Sequence, residues 1–431
     1  MLFINSLKVI KPKLCIRRLQ TSNQQGWDVP TAIHLDKDFL FNPKNIPLIE
    51  SNIKSRKSMG NIRLLNELYQ KLSQLNPSDI SYEEVKGLFN EECRLIPNST
   101  HPDVFEYGDE PKIVKYIGAK RKFDFPHKEF SEIGKRLNLV RTEQLGNLTG
   151  NRSYYLLGQM AELEQALIRC FVGDLIKNNF QLLSVPDILP RTIVESCGMN
   201  TRGERAQVYT LDPKIHPADL CLSGTSELAL AGYLANQLID ETELPLKLCS
   251  VSRCYRAETS STAEERGIFR VHEFTKVEMF VVSTPQQSDM ILETIREQQE
   301  ELFTALDIHF QVLDMPPHDL GAPAYRKYDI EAWMPGRNIY GEISSCSNCT
   351  DYQSRRLNIR YKDSNGKERF VHTLNGTACA IPRLLISLIE THQQNKGTVV
   401  IPEMLRKFMR DNEVIIRQKT IPELKLIKHK K

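Results

Sequence analysis

Long apolar runs are missing from this chain of 431 residues: although 40% of it is apolar, no stretch approaches the roughly 18 residues that a membrane-spanning helix needs. A soluble protein is expected, long enough for a large core and two domains. Net charge is scarce as well, at +3, so only local clustering could signal nucleic-acid binding. The ten cysteines are scattered without a disulfide framework, which in a chain this long points to a reducing compartment. Cys346-Ser-Asn-Cys349 has metal-ligand spacing, but no second Cys or His pair follows at a zinc-finger interval. Packed thiols are expected there, and no zinc. A Gly-rich phosphate loop is absent too, and a Rossmann fold is not expected.

Acidic residues are missing from Met1 to Trp27, where Lys8, Lys11, Lys13, Arg17 and Arg18 are interleaved with apolar residues. Residues 1–22 therefore resemble a mitochondrial transit peptide, with removal near Arg18 to Ser22 and a matrix location, although Pro12 interrupts the helix that import would use. Next, Asn61 to Leu75 carries a helical apolar stripe that stops at Asn76-Pro77. A second helix follows to about Cys93, with Ser81 and Glu84 spaced as a capping box. At ~1.5 Å per residue each helix is only about 20 Å long. Lys54, Arg56, Lys57, Arg63 and Lys71 cluster around its base and first helix, where they are candidates for RNA phosphate contact. A helix is expected over Pro126 to Asn138 and a domain boundary near Asp109, dividing residues 23–109 from 110–410. The remainder, 411–431, is a basic tail that is either solvated or in contact with RNA.

The chemistry concentrates between Arg253 and Val282. Pro245 to Glu258 alternates apolar positions, and an extended chain would put Arg256 and Glu258 on one face. Ile268 to Val282 repeats the pattern, with Arg270, His272, Phe274, Lys276 and Glu278 on one face and Val271, Thr275, Val277 and Met279 on the other. Mixed charges usually mark a solvated sheet face. Here Phe274 stands among the cations, where its ring suits a flat aromatic ligand, and the loop Thr259 to Gly267 has Ala263 as its only apolar residue. A charged strand face under a polar loop fits a nucleotide.

The string Arg256-Ala-Glu258, a variable loop, then Arg270-Val-His-Glu-Phe274-Thr-Lys276-Val-Glu278 resembles motif 2 of the class II aminoacyl-tRNA synthetases, and of the seryl-tRNA synthetases in particular. Further likenesses follow in order. Tyr154 to Ile176 with the Pro186-broken strand Phe180 to Leu189 resembles motif 1, through which such subunits pair; an ordinary core helix and edge strand fit the periodicity equally well. Thr225-Ser-Glu227 resembles the Thr-x-Glu loop that holds the amino group of serine, although helix capping alone would explain it. Asn338 to Asn348 is a strand ending in a polar series. Leu357 to Tyr361 and Arg369 to Leu374 flank an Asn365-Gly366 turn. Leu374-Asn375-Gly376-Thr377, followed by Pro382 and Arg383 at a helix start, resembles motif 3; alone, Arg383 would be surface decoration.

The resemblance implies an α+β fold: a mixed, mainly antiparallel sheet flanked by helices and preceded by a small helical domain whose tRNA-gripping arm is cut to a stump. It implies serine activation by ATP and transfer to mitochondrial tRNA-Ser. Arg256 and Arg383 would face the phosphates, Arg270 would support them, Glu258 would take the adenine amino group and Phe274 would stack on the ring. Glu342 and Ser345 would hold Mg2+. Serine would meet Thr225 and Glu227 at its amino group, Arg256 at its carboxylate, and Glu278 with Thr377 at its hydroxyl, with Asn375 lining the same pocket. The implied assembly is a homodimer, or a heterodimer with a paralogous subunit. The alternatives are an inactive paralogue serving as a structural or RNA-binding subunit, and a relative that activates another amino acid.

Overall fold

A small N-terminal unit is built mainly of α1 (Ile46–Ser55), α2 (Ile62–Gln74) and α3 (Ile80–Leu95), with one helical turn, Lys37–Leu40, ahead of them. The computed structural model describes residues 17–18, 33–142, 152–203, 206–216, 218–258 and 266–422. The basic leader apart from Arg17–Arg18, loop residues 259–265 and the tail from 423 lie outside the described residues. Asn61 starts α2, its side-chain oxygen accepting from the Arg63 and Leu64 N–H groups at 3.1 Å, which satisfies two donors the helix leaves open. The apolar stripe then buries Ile62 and Leu65 against Ile49, Ile53, Cys93 and Ile96. Gly60 is required by close approach, since a Cβ there would lie 2.7 Å from the Leu95 carbonyl oxygen. The expected capping box does not form: α3 begins at Ile80, so Ser81 and Glu84 lie inside it, and Asp79 accepts instead from the Asn76 N–H at 2.9 Å.

The rest of the chain is organised on an eight-stranded sheet. Its strands are β1 (Lys112–Ile117), β2 (Gln181–Leu183), β3 (Leu246–Tyr255), β4 (Glu273–Ser283), β5 (Phe310–Asp314), β6 (Arg326–Met334), β7 (Ile339–Asn348) and β8 (His372–Ala380). The spatial order is β1-β5-β6-β7-β8-β4-β3-β2, antiparallel except where β2 meets β3. Alternation decides the layers. Val277, Met279 and Val281 of β4 and Tyr328, Ile330 and Ala332 of β6 join the main core beneath α4 (Gln159–Lys177), with the intervening residues on the opposite face. That face is shared by the site and a second core around α5 (Ser226–Tyr233). The main core also holds α6 (Ser288–Ala305) and α7 (Ile381–Thr391), where Leu384, Leu385, Leu388 and Ile389 are fully buried, at about 1.5–3 kcal/mol each.

Three local expectations change. The helix at 126–138 is shorter, Phe130–Leu137, with Asn138 in the left-handed conformation at its end. Leu357 closes the helix Tyr352–Leu357 instead of opening a strand; the Asn365-Gly366 hairpin is Arg360–Lys362 with Glu368–Phe370, and β8 is a separate strand. Ile268 to His272 precede β4 and are not part of it.

Arg56 joins the two units. It is 4% exposed and donates to the carbonyls of Asn98 (2.9 Å) and Gly321 (2.5 Å). Asn98 continues the joint, its side-chain amide donating to the Pro323 and Cys349 carbonyls at 2.8 and 2.9 Å. Arg56 is therefore no RNA-facing cation. Burial pulls its pKa down to about 10, and it lies inward because the hairpin base buries it.

Candidate active site

A cavity of about 530 Å³ lies on the sheet face opposite the main core, lined by residues of β4, β6, β7 and β8, of α5 and α7, and of the segments before β4 and β6. Two bulges shape it. On β8, Ala378 is extra between the pairs Val277↔Cys379 and Glu278↔Thr377; on β7, Ile343 is extra between Ile330↔Ser344 and Glu331↔Glu342. An extra residue reverses the in–out alternation beyond it. Glu342 and Ser345, three apart in sequence, therefore reach one face, and Thr377 comes opposite Glu278.

At one end of the cavity, Thr225 caps α5, its hydroxyl oxygen accepting from the Glu227 N–H at 3.3 Å and from the Lys276 ammonium at 2.8 Å. The same ammonium lies 2.5 Å from the Glu278 carboxylate, which also accepts from the Thr377 hydroxyl at 3.2 Å. Glu227 accepts from the Gln353 amide at 2.6 Å. Burial, then the nearby Glu278 charge, pushes the Glu227 carboxyl up to about 7, against the opposing bonds from Gln353 and Asn375. The set offers hydroxyl and carboxylate acceptors at a buried place, which is what a desolvated ammonium or hydroxyl requires. Gly376 between Asn375 and Thr377 leaves no room for a side chain: a Cβ there would lie 2.4 Å from Ile295 of α6.

Cations gather at the other end. Arg270 donates to Glu258 at 2.9 Å, and the Arg256 guanidinium lies over the Phe274 ring, 5.2 Å from its centroid. Arg383, in the first turn of α7, donates to the Glu342 carboxylate at 3.1 Å and to the Phe269 carbonyl at 3.0 Å. Burial alone would raise the Glu342 pKa, but the charges of Arg383, Lys327 and Arg256 hold it below the usual carboxylate range. Burial likewise disfavours the Lys327 charge, and Asp329 at 2.8 Å outweighs it and pushes that pKa up. The guanidinium and ammonium groups gathered here suit an anion of several charges, while burial pushes the Asp329 carboxyl up to about 7.

Arg256, Glu258, Arg270, Phe274, Glu342, Ser345, Arg383, Thr225, Glu227, Glu278, Asn375 and Thr377 all line this one cavity. Arg256 and Glu258 follow the end of β3, and Arg270 enters from the turn before β4, so strand alternation does not aim them. The remaining RNA candidates lie away from the cavity: Lys54, Lys57 and Lys71 are exposed, and Arg63 pairs with Glu50 at 2.6 Å on the surface. Cys346 and Cys349 are buried, and burial pushes both thiols up. Sequence reasoning left Lys276, Lys327 and Gln353 without roles. Lys327, Asp329 and Glu331 repeat the alternating-charge pattern of β4, a usable signal; Gln353 offered none.

Residues 209–392 match the family model of the tRNA synthetase class II core domain (G, H, P, S and T). The chain is 44% identical over 347 residues to the mitochondrial serine–tRNA ligase of Mus musculus, a match covering 80% of this chain and 66% of that one. It thus spans slightly less than two thirds of that mammalian relative. It is 36% identical over 423 residues to the serine–tRNA ligase of Dictyoglomus turgidum, covering 94% of this chain and 96% of the relative. Among solved structures, seryl-tRNA synthetase from Pyrococcus horikoshii complexed with ATP superposes with a TM-score of 0.79 at 29% identity, covering 89% of this chain and all (100%) of the other. With an antiparallel sheet carrying this cavity, the class II core and these relatives, the chain belongs to the seryl-tRNA synthetases.

Proposed function

We propose that this protein activates serine with ATP and transfers it to tRNA-Ser in mitochondria, in the matrix. The observation that carries the reading is the division of one cavity into an acceptor-rich end (Thr225, Glu227, Glu278, Thr377) and a cationic end (Arg256, Arg270, Lys327, Arg383). In the first step a serine carboxylate oxygen attacks the α-phosphorus of ATP and pyrophosphate leaves. Two anions must meet, so the preplaced cations lower the barrier by meeting the charge where it develops. In the second, a hydroxyl of the terminal ribose attacks the mixed anhydride and AMP leaves; the anhydride is already activated.

Glu227 and Thr225 receive the ammonium of serine, and Glu278 with Thr377 receives its hydroxyl. Alanine brings no hydroxyl to Glu278 and Thr377 and forgoes the hydrogen bonds that serine makes there, at about 1–3 kcal/mol for each. Phe274 supplies the stacking face and Glu258 an acceptor for the adenine amino group. The hard oxygens of Glu342 and Ser345, brought to one face by the β7 bulge, suit magnesium, and no set of three or more His, Cys, Asp or Glu side chains is placed to hold a metal alone among the described residues. Bound there with ATP, magnesium would neutralise phosphate charge.

The mitochondrial serine–tRNA ligase of Mus musculus supports the mitochondrial assignment. A dimer is supported by Ile176 on α4 and Leu182 on the edge strand β2, which expose 50% and 46% of their surface. The two partners considered, a second copy and a longer paralogue, differ in outcome: the protein alone charges tRNA efficiently in the first case, and activates serine but charges poorly in the second. The geometry gives the inactive-subunit reading no support. Serine-dependent ATP–pyrophosphate exchange tests the proposal; absence of exchange with serine, or equal exchange with alanine, overturns it.

A further inference from the structure

The cavity face continues outward into an aromatic surface that the chemistry above does not use. Directly paired residues of an antiparallel sheet share a face, and the pairs Tyr116↔Gln311, Gln311↔Glu331 and Glu331↔Glu342 form one row across β1, β5, β6 and β7. One row further from Glu342, Trp333 pairs with Tyr340. Tyr116, Trp333 and Tyr340 therefore stand on the sheet face that holds the cavity. Tyr116 is 55% exposed, and the Trp333 and Tyr340 rings meet edge to face at 5.1 Å. The arrangement is fixed by a neighbour on the same face. His309 Nδ1 lies 3.0 Å from the Ile117 carbonyl, which places the ring proton there and leaves Nε2 to accept from the Tyr340 hydroxyl at 2.8 Å.

Over this surface runs the segment 118–129, which has no regular secondary structure. It carries three consecutive cations, Lys120, Arg121 and Lys122; the Lys120 ammonium lies 3.4 Å from the Trp333 ring centroid and 4.7 Å from that of Tyr340, while Arg121 reaches His392 Nδ1 at 3.4 Å. Its far end is tied down: Lys128 donates its N–H to Gln393 at 2.8 Å, and Glu129 accepts from Arg266 at 3.0 Å. Arg266 follows the loop between β3 and β4, and Arg337 from the β6–β7 turn donates to its carbonyl at 2.8 Å. The basic segment thus leads from the aromatic rings to the rim of the cavity.

We propose that the exposed Tyr116 ring, with Lys120 held beside it over Trp333 and Tyr340 and with the adjoining Lys122, forms a stacking platform for the unpaired 3′ end of the RNA substrate as it enters the cavity, an inference that rests on the tRNA reading above. An exposed ring such as that of Tyr116 accepts a base only from a strand whose bases are unstacked, and adjacent cations track its backbone. A duplex offers no free base faces. The occupant is therefore single-stranded.

The test uses the full-length protein with Lys120, Arg121 and Lys122 replaced together by Glu, and separately Tyr116→Ala, which removes an exposed ring with little packing. Both should keep serine-dependent pyrophosphate exchange, which needs no tRNA. Both should bind tRNA-Ser about tenfold more weakly, and that difference should vanish when the probe is the same tRNA trimmed of its unpaired 3′ nucleotides. Equal affinity of variants and wild type for the intact tRNA overturns the proposal, as does an undiminished loss with the trimmed one. So does a shift of the triple variant from dimer to monomer in sedimentation, which would assign the surface to a second copy. Should the wild type fail to exchange with serine, the functional reading falls by itself, while the two RNA probes still decide the platform.

Discussion

Arg383 in the cavity and Arg63 on the helical pair each face one glutamate, at 3.1 and 2.6 Å. The shorter contact is the weaker one. Arg63 is 64% exposed, so water and salt screen it and the pair holds little. Arg383 is 17% exposed and is held a second time by the Phe269 carbonyl, so its charge is aimed and partly desolvated. A third arginine, Arg56, is buried without a carboxylate, on backbone carbonyls and the Thr100 hydroxyl. Across the two regions, surroundings decide whether a cation lines the cavity, joins units or is solvated.

The largest expected effect breaks the comparison at its cavity end. Arg256→Ala and Arg383→Ala should each lower serine-dependent pyrophosphate exchange about 10²–10³-fold while thermal unfolding stays near wild type. Near-normal exchange in either variant would remove the phosphate-facing role. Arg56→Met tests the buried joint: with its carbonyl partners stranded, stability should fall by about 2–4 kcal/mol in denaturant unfolding. Unchanged stability would make Arg56 a surface residue in disguise.

Selectivity provides a finer probe. Glu278→Gln keeps shape but removes a charged acceptor, so serine should lose about tenfold more kcat/KM than alanine does; equal losses would show that Glu278 does not read the hydroxyl. For Glu227 the sign follows from a carboxyl raised to about 7. It is neutral below that pH and charged above it, so the KM for serine should rise as pH falls from 8 to 6, by up to about tenfold per unit below the pKa. In Glu227→Gln the profile should flatten, and a slope that persists would assign the titration elsewhere. The smallest effect belongs to the exposed end: Arg63→Ala should leave exchange unchanged and weaken tRNA binding slightly, with a shallower salt dependence. An effect of tenfold or more would show that the short arm still grips RNA.

Several elements were legible because their cause is local. The α2 stripe ends where Asn76-Pro77 must end it, and Pro382 opens α7 with its four apolar residues inward. Thr225 caps α5 as its residue type favours. The Ser81–Glu84 spacing misled because Asp79 lies ahead of it and the helix starts between them. The β4 face was legible from Phe274, Lys276 and Glu278, whereas Arg270 reaches the cavity from a turn that alternation cannot describe.

What the amino-acid order determined by itself is the helices with a clear stripe or cap, the Asn365-Gly366 hairpin and the residue types of the cavity, since periodicity, caps and motif spacing act over a few residues. Only the tertiary structure decided the rest. The bulges at Ile343 and Ala378 exist relative to the facing strands and bring Glu342 beside Ser345 and Thr377 opposite Glu278. The assignment of Arg56 to a buried joint and Arg63 to solvent was likewise made by packing, because a guanidinium carries the same charge in both places and only its neighbours set what that charge can do.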